Sequence, residues 1–387
     1  RGLPGPISER DRCSVRGAVL YETGAPLVVE DIAVDNPRAH EVLVRVAAAG
    51  VCHSDLAIAR GGQKAALPAV LGHEGAGVVE RIGPGVTSVA PGDHVVMLWR
   101  AGCGHCYYCD RGTPAICDIG IRNRVTGLMP DGTSRYRVGD TVVNHFNAVS
   151  TLAEYSVAPE VSVLKIDAEV PLDRAAVVGC AVLTGLGAVF NASGLRPGDC
   201  AAVIGCGGVG LNVIQGAIIA GAEIVVAMDV SEYKLGLAEQ FGATHLIDST
   251  SQDAFETIQE LTAGIGVDYA FDCAGLIATL EQALSITRRG GTAVAIGMPA
   301  VGQTIAIEPL PFIVADKTLR GSIYGSSNFA LDVPRALGLY RQGRLKLDEL
   351  ITGSYSLDQV NDALDLLERD KGSVARSVIR LDEGALA

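Results

Sequence analysis

Positive charge is in short supply. Lys and Arg number 31 against 44 Asp and Glu, the formal net charge is −13, and no run of Lys or Arg gathers what there is. Without a basic footprint, nucleic-acid binding and attraction to an anionic membrane surface are both disfavoured. Unbroken apolar stretches are missing as well: residues 204–228 are interrupted by Gly, Asn, Gln and Glu, so no spanning helix is expected there. The opening Arg1-Gly-Leu-Pro-Gly-Pro6 has no Met, no charged segment leading into an apolar one and no cleavage site. It is expected to be a flexible extension outside the fold, and the compartment to be cytoplasmic. Charged residues make up only 19%, whereas hydrophobic residues reach 48% and Gly 47 positions. That mix suits buried sheet and tight turns and argues against disorder.

At 387 residues the chain is longer than one core usually supports, so two domains are expected. The first part reads as β-rich, with alternation at residues 42–46 and 94–97 and Gly or Pro between stretches. From about Leu172 to Tyr324, short apolar runs alternate with helical patterns, the rhythm of βαβ units on a parallel sheet. Strands are expected at 201–204, 224–228, 245–247, 269–271, 292–296 and 319–323, continuous in apolar character because helices cover both faces. Helices follow at 332–342 and 357–368, then a strand at 377–381.

Gly205-Cys-Gly-Gly-Val-Gly210 follows the first of these strands and opens a helix expected over 209–220. Gly205, Gly207, Gly208 and Gly210, with Val209, suit a backbone that approaches a pyrophosphate at a helix N-terminus. Asp229 closes the next strand, where its carboxylate can accept from ribose hydroxyls and would repel a 2′-phosphate, favouring NAD over NADP. Lys234 lies nearby.

Ten cysteines in a chain this long are not a disulfide framework, yet four crowd into residues 103–117. Cys103, Cys106, Cys109 and Cys117 close a tetrahedral shell with no open position, the pattern of a structural Zn²⁺. Further candidate ligands are scattered: Cys52, His73 with Glu74, and Cys180. Two thiolates and an imidazole leave a corner for water or substrate, as in a catalytic zinc. Spacing alone leaves open whether these three meet, because free cysteines are commonly just buried. Asp55 suits a carboxylate partner for a ligating His.

Taken in order, Gly-Val-Cys52-His53-Ser54-Asp55, Gly-His73-Glu74-Gly-Ala-Gly, the four-cysteine lobe, Cys180 and the glycine loop resemble the zinc-containing medium-chain alcohol dehydrogenases, over residues from about Arg16 to Leu381. The resemblance implies an α/β chain with a GroES-like β-rich catalytic domain, 1–181 and 325–387, and a doubly wound Rossmann domain, 182–324, with the active site between them. It implies Cys52, His73 and Cys180 as catalytic zinc ligands with Glu74 close behind the metal. Ser54 would bond the substrate oxygen, His53 would face the cofactor pyrophosphate, and Thr184 would lie beside the nicotinamide. Asp229 and Lys234 would contact the adenosine ribose and Arg376 a cofactor phosphate. A homodimer or dimer-based homotetramer is implied. One departure is Ala57, where many members carry a His that completes a proton relay.

The implied reaction interconverts an alcohol and its aldehyde by hydride transfer from a zinc-bound alkoxide to NAD. Position matching suggests Trp99, Phe146, Met298 and Ile323 as pocket lining, and a bulky Trp favours primary, aromatic or allylic alcohols. A competing expectation is a thiol-dependent formaldehyde dehydrogenase acting on a hydroxymethyl-thiol adduct. The acid and Arg of the glutathione-using branch match Gln63 and Ile121 here, while Arg122 and Arg124 leave room for another thiol. A non-catalytic binding protein on the same scaffold is the alternative of a different class, and it would be expected to lack metal ligands.

Overall fold

The computed structural model describes residues 12–369 and 374–386, so the expected N-terminal extension lies outside the described residues. Two sheet systems dominate. The N-terminal part builds a closed barrel from Arg12–Leu20, Val28–Asp35, Tyr136–Val138, Thr141–His145 and Ala69–Val70. Against it lies a mixed sheet ordered Val163–Lys165, His94–Met97, Glu74–Ile82, Glu41–Val51, Arg376–Arg380, Ile351–Ser356, with Tyr155–Pro159 also pairing with Glu41–Val51. The chain's last strand therefore returns to the first part, Ser377 opposite Val51.

Glu41–Val51 is central to this sheet and buried at all positions but one. The alternation of residues 42–46 does not produce one wet face, because neighbouring strands and helices cover both sides. A Cβ at Gly77 would fall 2.1 Å from the Arg45 carbonyl oxygen, so only glycine lets this strand and Glu74–Ile82 lie so close.

The second system is a six-stranded parallel sheet ordered His245–Asp248, Ile224–Asp229, Cys200–Ile204, Val267–Asp272, Thr287–Ala295, Thr318–Gly321. Cys200–Ile204 is apolar throughout and Ile224–Asp229 up to its last residue, because helices cover both faces, as the continuous pattern predicted. In chain order this is 3-2-1-4-5-6, and the order reverses beside Cys200–Ile204, which is where such sheets bind dinucleotides. The strand expected at 292–296 begins earlier, at Thr287. The one expected at 319–323 ends at Gly321, before the chain turns at Tyr324–Ser326. The later helices occupy Phe329–Arg341 and Val360–Arg369.

A long helical stretch, Leu172–Ser193, joins the two systems. By length and composition it could cross a bilayer, which corrects the expectation that no stretch has that character; 89% of its apolar window is buried in the fold, and that burial explains the composition. Wide π-type turns at Val178–Val182 and Ala188–Ser193 interrupt it, and Cys180 sits in the first. Such turns recur at functional sites.

Candidate active site

At the end of Cys200–Ile204, Gly205 adopts φ of +93°, the left-handed region that glycine favours. A Cβ at Gly210 would lie 1.9 Å from the Gly205 carbonyl oxygen, so helix Gly208–Ala220 can start here only without that side chain. Gly207 is different: nothing lies within 4 Å of the position its Cβ would take. Free backbone N–H groups and the positive end of a helix dipole thus border open space, a cradle suited to a pyrophosphate. Asp229 accepts from the N–H groups of Cys206 at 2.7 Å, Val230 at 2.8 Å and Ser231 at 3.0 Å. Two carboxylate oxygens offer about four acceptor positions, so one remains for a ribose hydroxyl. Lys234 and Thr184 are half-buried nearby, Lys234 in Glu232–Gln240 and Thr184 in Leu183–Gly187, which packs on the cofactor helix.

The ligand atoms of Cys103, Cys106, Cys109 and Cys117 all lie within 4.8 Å of one another. The Cys106 and Cys117 sulfurs are 3.9 Å apart. Zn–S bonds of about 2.3 Å in a tetrahedron require sulfurs about 3.8 Å apart, whereas a disulfide needs about 2.05 Å. The lobe is spaced for a metal. Gly102 allows this wrapping, since a Cβ there would meet the Cys109 sulfur at 3.1 Å and Pro114 at 2.6 Å.

Cys52, His73, Glu74 and Cys180, from three distant stretches, also bring their ligand atoms within 4.8 Å. The Cys180 sulfur lies 3.6 Å from His73 Nε2. Tetrahedral Zn–S and Zn–N bonds place sulfur and nitrogen about 3.6 Å apart, so the donor set fits zinc. All four residues are buried. Asp55 organises them: its carboxylate accepts from Gly72 N–H at 3.0 Å and Cys52 N–H at 3.3 Å and meets His73 Nδ1 at 3.2 Å, leaving Nε2 for the centre. Gly50 makes room for the Glu74 carboxylate, 2.2 Å from where a Cβ would stand. Arg376 then pairs with Glu74, and its stem lies against Gly208 of the glycine loop, so one side chain touches both the cluster and the cofactor cradle.

The electrostatics are those of a cation site. A hydrogen bond from the Cys180 thiol holds Cys52 well below the ordinary thiol range against the pull of burial, with the Arg376 and His73 charges adding to it. Donating that bond, together with burial, pushes Cys180 up. Burial draws the His73 imidazole down, but the Asp55 carboxylate and the Cys52 sulfur outweigh it. Burial pushes Glu74 up to about 8, with Arg376 opposing. Desolvation, with the Arg376 and Lys234 charges adding to it, holds His53 below its usual value.

Trp99 and Phe146 both stand edge-on to His73, with ring centroids 5.9 Å and 5.5 Å away. Ser54 is half-buried one residue beyond His53, and Ala57 lies in the same short helix. Met298 is 52% exposed, and Ile323 packs on the main core. Of the residues weighed for a thiol substrate, Ile121 is 42% exposed and Arg122 reaches the Pro130 carbonyl, while Arg124 turns inward to Gln63 and the Phe146 ring. Sequence reasoning missed Arg100 and Tyr324. Tyr324 stacks on Trp99 with centroids 4.4 Å apart and donates to the Gly179 carbonyl beside Cys180. Its place just after the last parallel strand was the available signal.

With this geometry in view, comparison with known proteins is informative. The alcohol dehydrogenase GroES-like domain model matches residues 38–168 and the zinc-binding dehydrogenase model residues 208–340. The chain is 39% identical over 373 residues to S-(hydroxymethyl)glutathione dehydrogenase of Paracoccus denitrificans, covering 94% of this chain and 99% of that protein. Among solved structures it is similar to an alcohol dehydrogenase zinc-binding domain protein from Burkholderia ambifaria (TM-score 0.92, 37% identity, 96% of this chain and 99% of that one). It is also similar to benzyl alcohol dehydrogenase from Acinetobacter calcoaceticus (TM-score 0.90, 33% identity, 95% and 99%). These likenesses, two clusters spaced for zinc and an NAD-type glycine loop set aside the non-catalytic alternative. The chain is an oxidoreductase of the zinc-containing medium-chain alcohol dehydrogenase family.

Proposed function

We propose that this chain is a zinc-dependent, NAD-linked dehydrogenase of primary alcohols whose preferred substrate is the hydroxymethyl adduct of a low-molecular-weight thiol. The net reaction converts R–S–CH₂OH and NAD⁺ to R–S–CHO, NADH and a proton. This ranks the thiol-adduct reading above the plain primary alcohol. The observation that carries it is the 39% identity to an S-(hydroxymethyl)glutathione dehydrogenase across 94% of the chain, joined to the buried Cys52, His73 and Cys180 cluster. Gln63 and Ile121 in place of an acid and an Arg point to a thiol other than glutathione. A second reading, oxidation of benzyl-type alcohols, is favoured by the Trp99 and Phe146 rings on His73 and by the likeness to a benzyl alcohol dehydrogenase.

A zinc ion held here would supply Lewis acidity and a bound NAD would supply a hydride acceptor. The chain's residues do the rest. Cys52, His73 and Cys180, with Glu74 and Arg376 paired beside them, would hold the catalytic metal; Cys103, Cys106, Cys109 and Cys117 would hold the structural one. Ser54 Oγ takes the hydroxyl proton and passes it towards His53 at the lip, since Ala57 offers no relay. The exposed His53 imidazole, next along the chain, offers a ring nitrogen to receive it. Trp99 and Phe146 exclude water and orient the reacting carbon. Thr184, Gly205, Gly207, Gly208, Val209, Gly210, Asp229, Lys234 and Arg376 hold the cofactor, with Met298 and Ile323 at the outer pocket. The functional division is 1–181 with 325–387 as catalytic domain and 182–324 as cofactor domain, in a cytoplasmic homodimer or dimer-based homotetramer.

The test is NAD⁺ reduction by formaldehyde with and without a panel of low-molecular-weight thiols, beside benzyl and linear alcohols. At least one thiol is expected to raise the formaldehyde rate about tenfold or more. Turnover of benzyl alcohol with no response to any thiol would replace the first reading by the second.

A further inference from the structure

Arg100 and Arg124 each cap one of the two rings that flank His73. The Arg100 guanidinium lies 4.8 Å from the Trp99 centroid and that of Arg124 4.7 Å from the Phe146 centroid. Both are largely withdrawn from water, yet neither has a carboxylate partner among the described residues. Arg124 bonds only the neutral Gln63 amide, at 2.8 Å, and Arg100 Nε, Arg124 Nη1, Trp99 Nε1 and Asn123 Oδ1 are buried with no hydrogen-bond partner. Four orphaned polar atoms on two short stretches, 99–100 and 123–124, are far from the norm, since buried polar groups are almost always satisfied. Gly120 lets the Arg100 stem press on helix Asp118–Thr126, with a Cβ there only 2.7 Å from Arg100 Cγ. The wall is thus built into the fold. The Arg100 charge is felt at Arg124, so two like charges are held near one another in a protein whose net charge is −13.

We propose that Trp99, Arg100 and Arg124 form the recognition site for a carboxylate carried by the alcohol substrate, held one aromatic ring away from the reacting centre. The donors are those a carboxylate requires: two guanidinium groups and an indole N–H for two planar oxygens. Burial holds both arginines below their usual values, a cost that an incoming anion relieves. The proposal rests on the alcohol-oxidising reading and deepens it by naming the charge its substrates carry. It does not depend on whether the alcohol is borne on a thiol.

The experiment compares kcat/KM for 4-(hydroxymethyl)benzoate and the neutral 4-methylbenzyl alcohol, with NAD⁺ and no thiol, in the wild type, Arg100→Met, Arg124→Met and Arg124→Lys. The wild type is expected to prefer the carboxylate. Each Met variant should lose about tenfold or more of that preference through KM, and Lys should retain part of it. In parallel, the unreactive 4-methylbenzoate should raise the melting temperature of the NADH complex in the wild type and not in Arg124→Met, with zinc content equal in both. Preference for the neutral alcohol in the wild type, or a preference untouched by both Met variants, overturns the proposal. Stabilisation by 4-methylbenzoate with neither alcohol oxidised would uphold the anion site and refute the benzyl-type reading instead.

Discussion

Adding one methyl group at Gly207 and at Gly210 should separate what the protein needs from what its ligand needs. At Gly210 the new Cβ would stand 1.9 Å from the Gly205 carbonyl oxygen, against an ordinary contact of 3.4–4 Å. The turn must therefore open by more than an ångström, and the start of helix Gly208–Ala220 moves with it. Overpacking of this kind costs about 1–3 kcal/mol, so Gly210→Ala should melt several degrees lower even without cofactor. At Gly207 the backbone is extended, φ −77°, and the added Cβ meets nothing within 4 Å, so Gly207→Ala should fold and melt as the wild type. If that open space is where a pyrophosphate lies, the methyl group blocks it. Losing one or two hydrogen bonds to a charged group, about 1.5–3 kcal/mol each, weakens binding tenfold or more. The assay is NADH fluorescence titration beside thermal melting. A Gly207→Ala protein that binds NADH within threefold of the wild type would refute this placement of the cofactor.

Three further outcomes are expected. Asp55→Asn should weaken zinc at the Cys52, His73 and Cys180 site by about 10–100-fold, because the His73 ring loses its carboxylate partner, while the four-cysteine lobe keeps its metal; chelator titration with a metal indicator reads this, and parallel loss from both sites would contradict it. His145 is buried, and burial lowers its imidazole from its usual 6.5 to about 3. The unfolded chain takes up that proton below about 6.5 and the folded one does not, so between about pH 7.5 and about 5.5 the wild type should lose about 1.4 kcal/mol more stability in urea than His145→Gln; equal slopes would show that His145 is not the source. Cys109→Ser should cost one zinc per chain and unfold the lobe around Tyr107–Asp110, measured as zinc content and local proteolysis, with the Cys52 cluster still loaded; two zinc ions retained would contradict it.

Local chemistry was legible in the chain. The glycine loop reads from sequence because its constraints are local: a positive φ at Gly205 and the close approach at Gly210. The four-cysteine lobe reads for the same reason, since all its ligands fall within fifteen consecutive residues. The parallel strands were legible as apolar runs, though the ends of Thr287–Ala295 and Thr318–Gly321 were not, being set by pairing partners and by the turn at Tyr324. Cys52 and Cys180 are too distant in sequence for spacing to place them together; family resemblance supplied what periodicity lacked, and the fold then brought them together. The helix Leu172–Ser193 is not legible from periodicity because it is buried nearly all round and so carries no polar face to mark a helical period. Arg100 carries no motif at all. Its importance lies in a missing partner, which only a packed structure shows.

The account stands on two thiols and an imidazole gathered around one metal beside the dinucleotide. The most direct measurement of that claim is zinc content together with NADH binding and alcohol turnover in the wild type and in His73→Ala. Two zinc ions per chain are expected in the wild type and one in the variant, with NADH still bound and turnover abolished. A wild type that holds only one zinc, or a variant that loses its metal and still oxidises alcohol, would contradict the account.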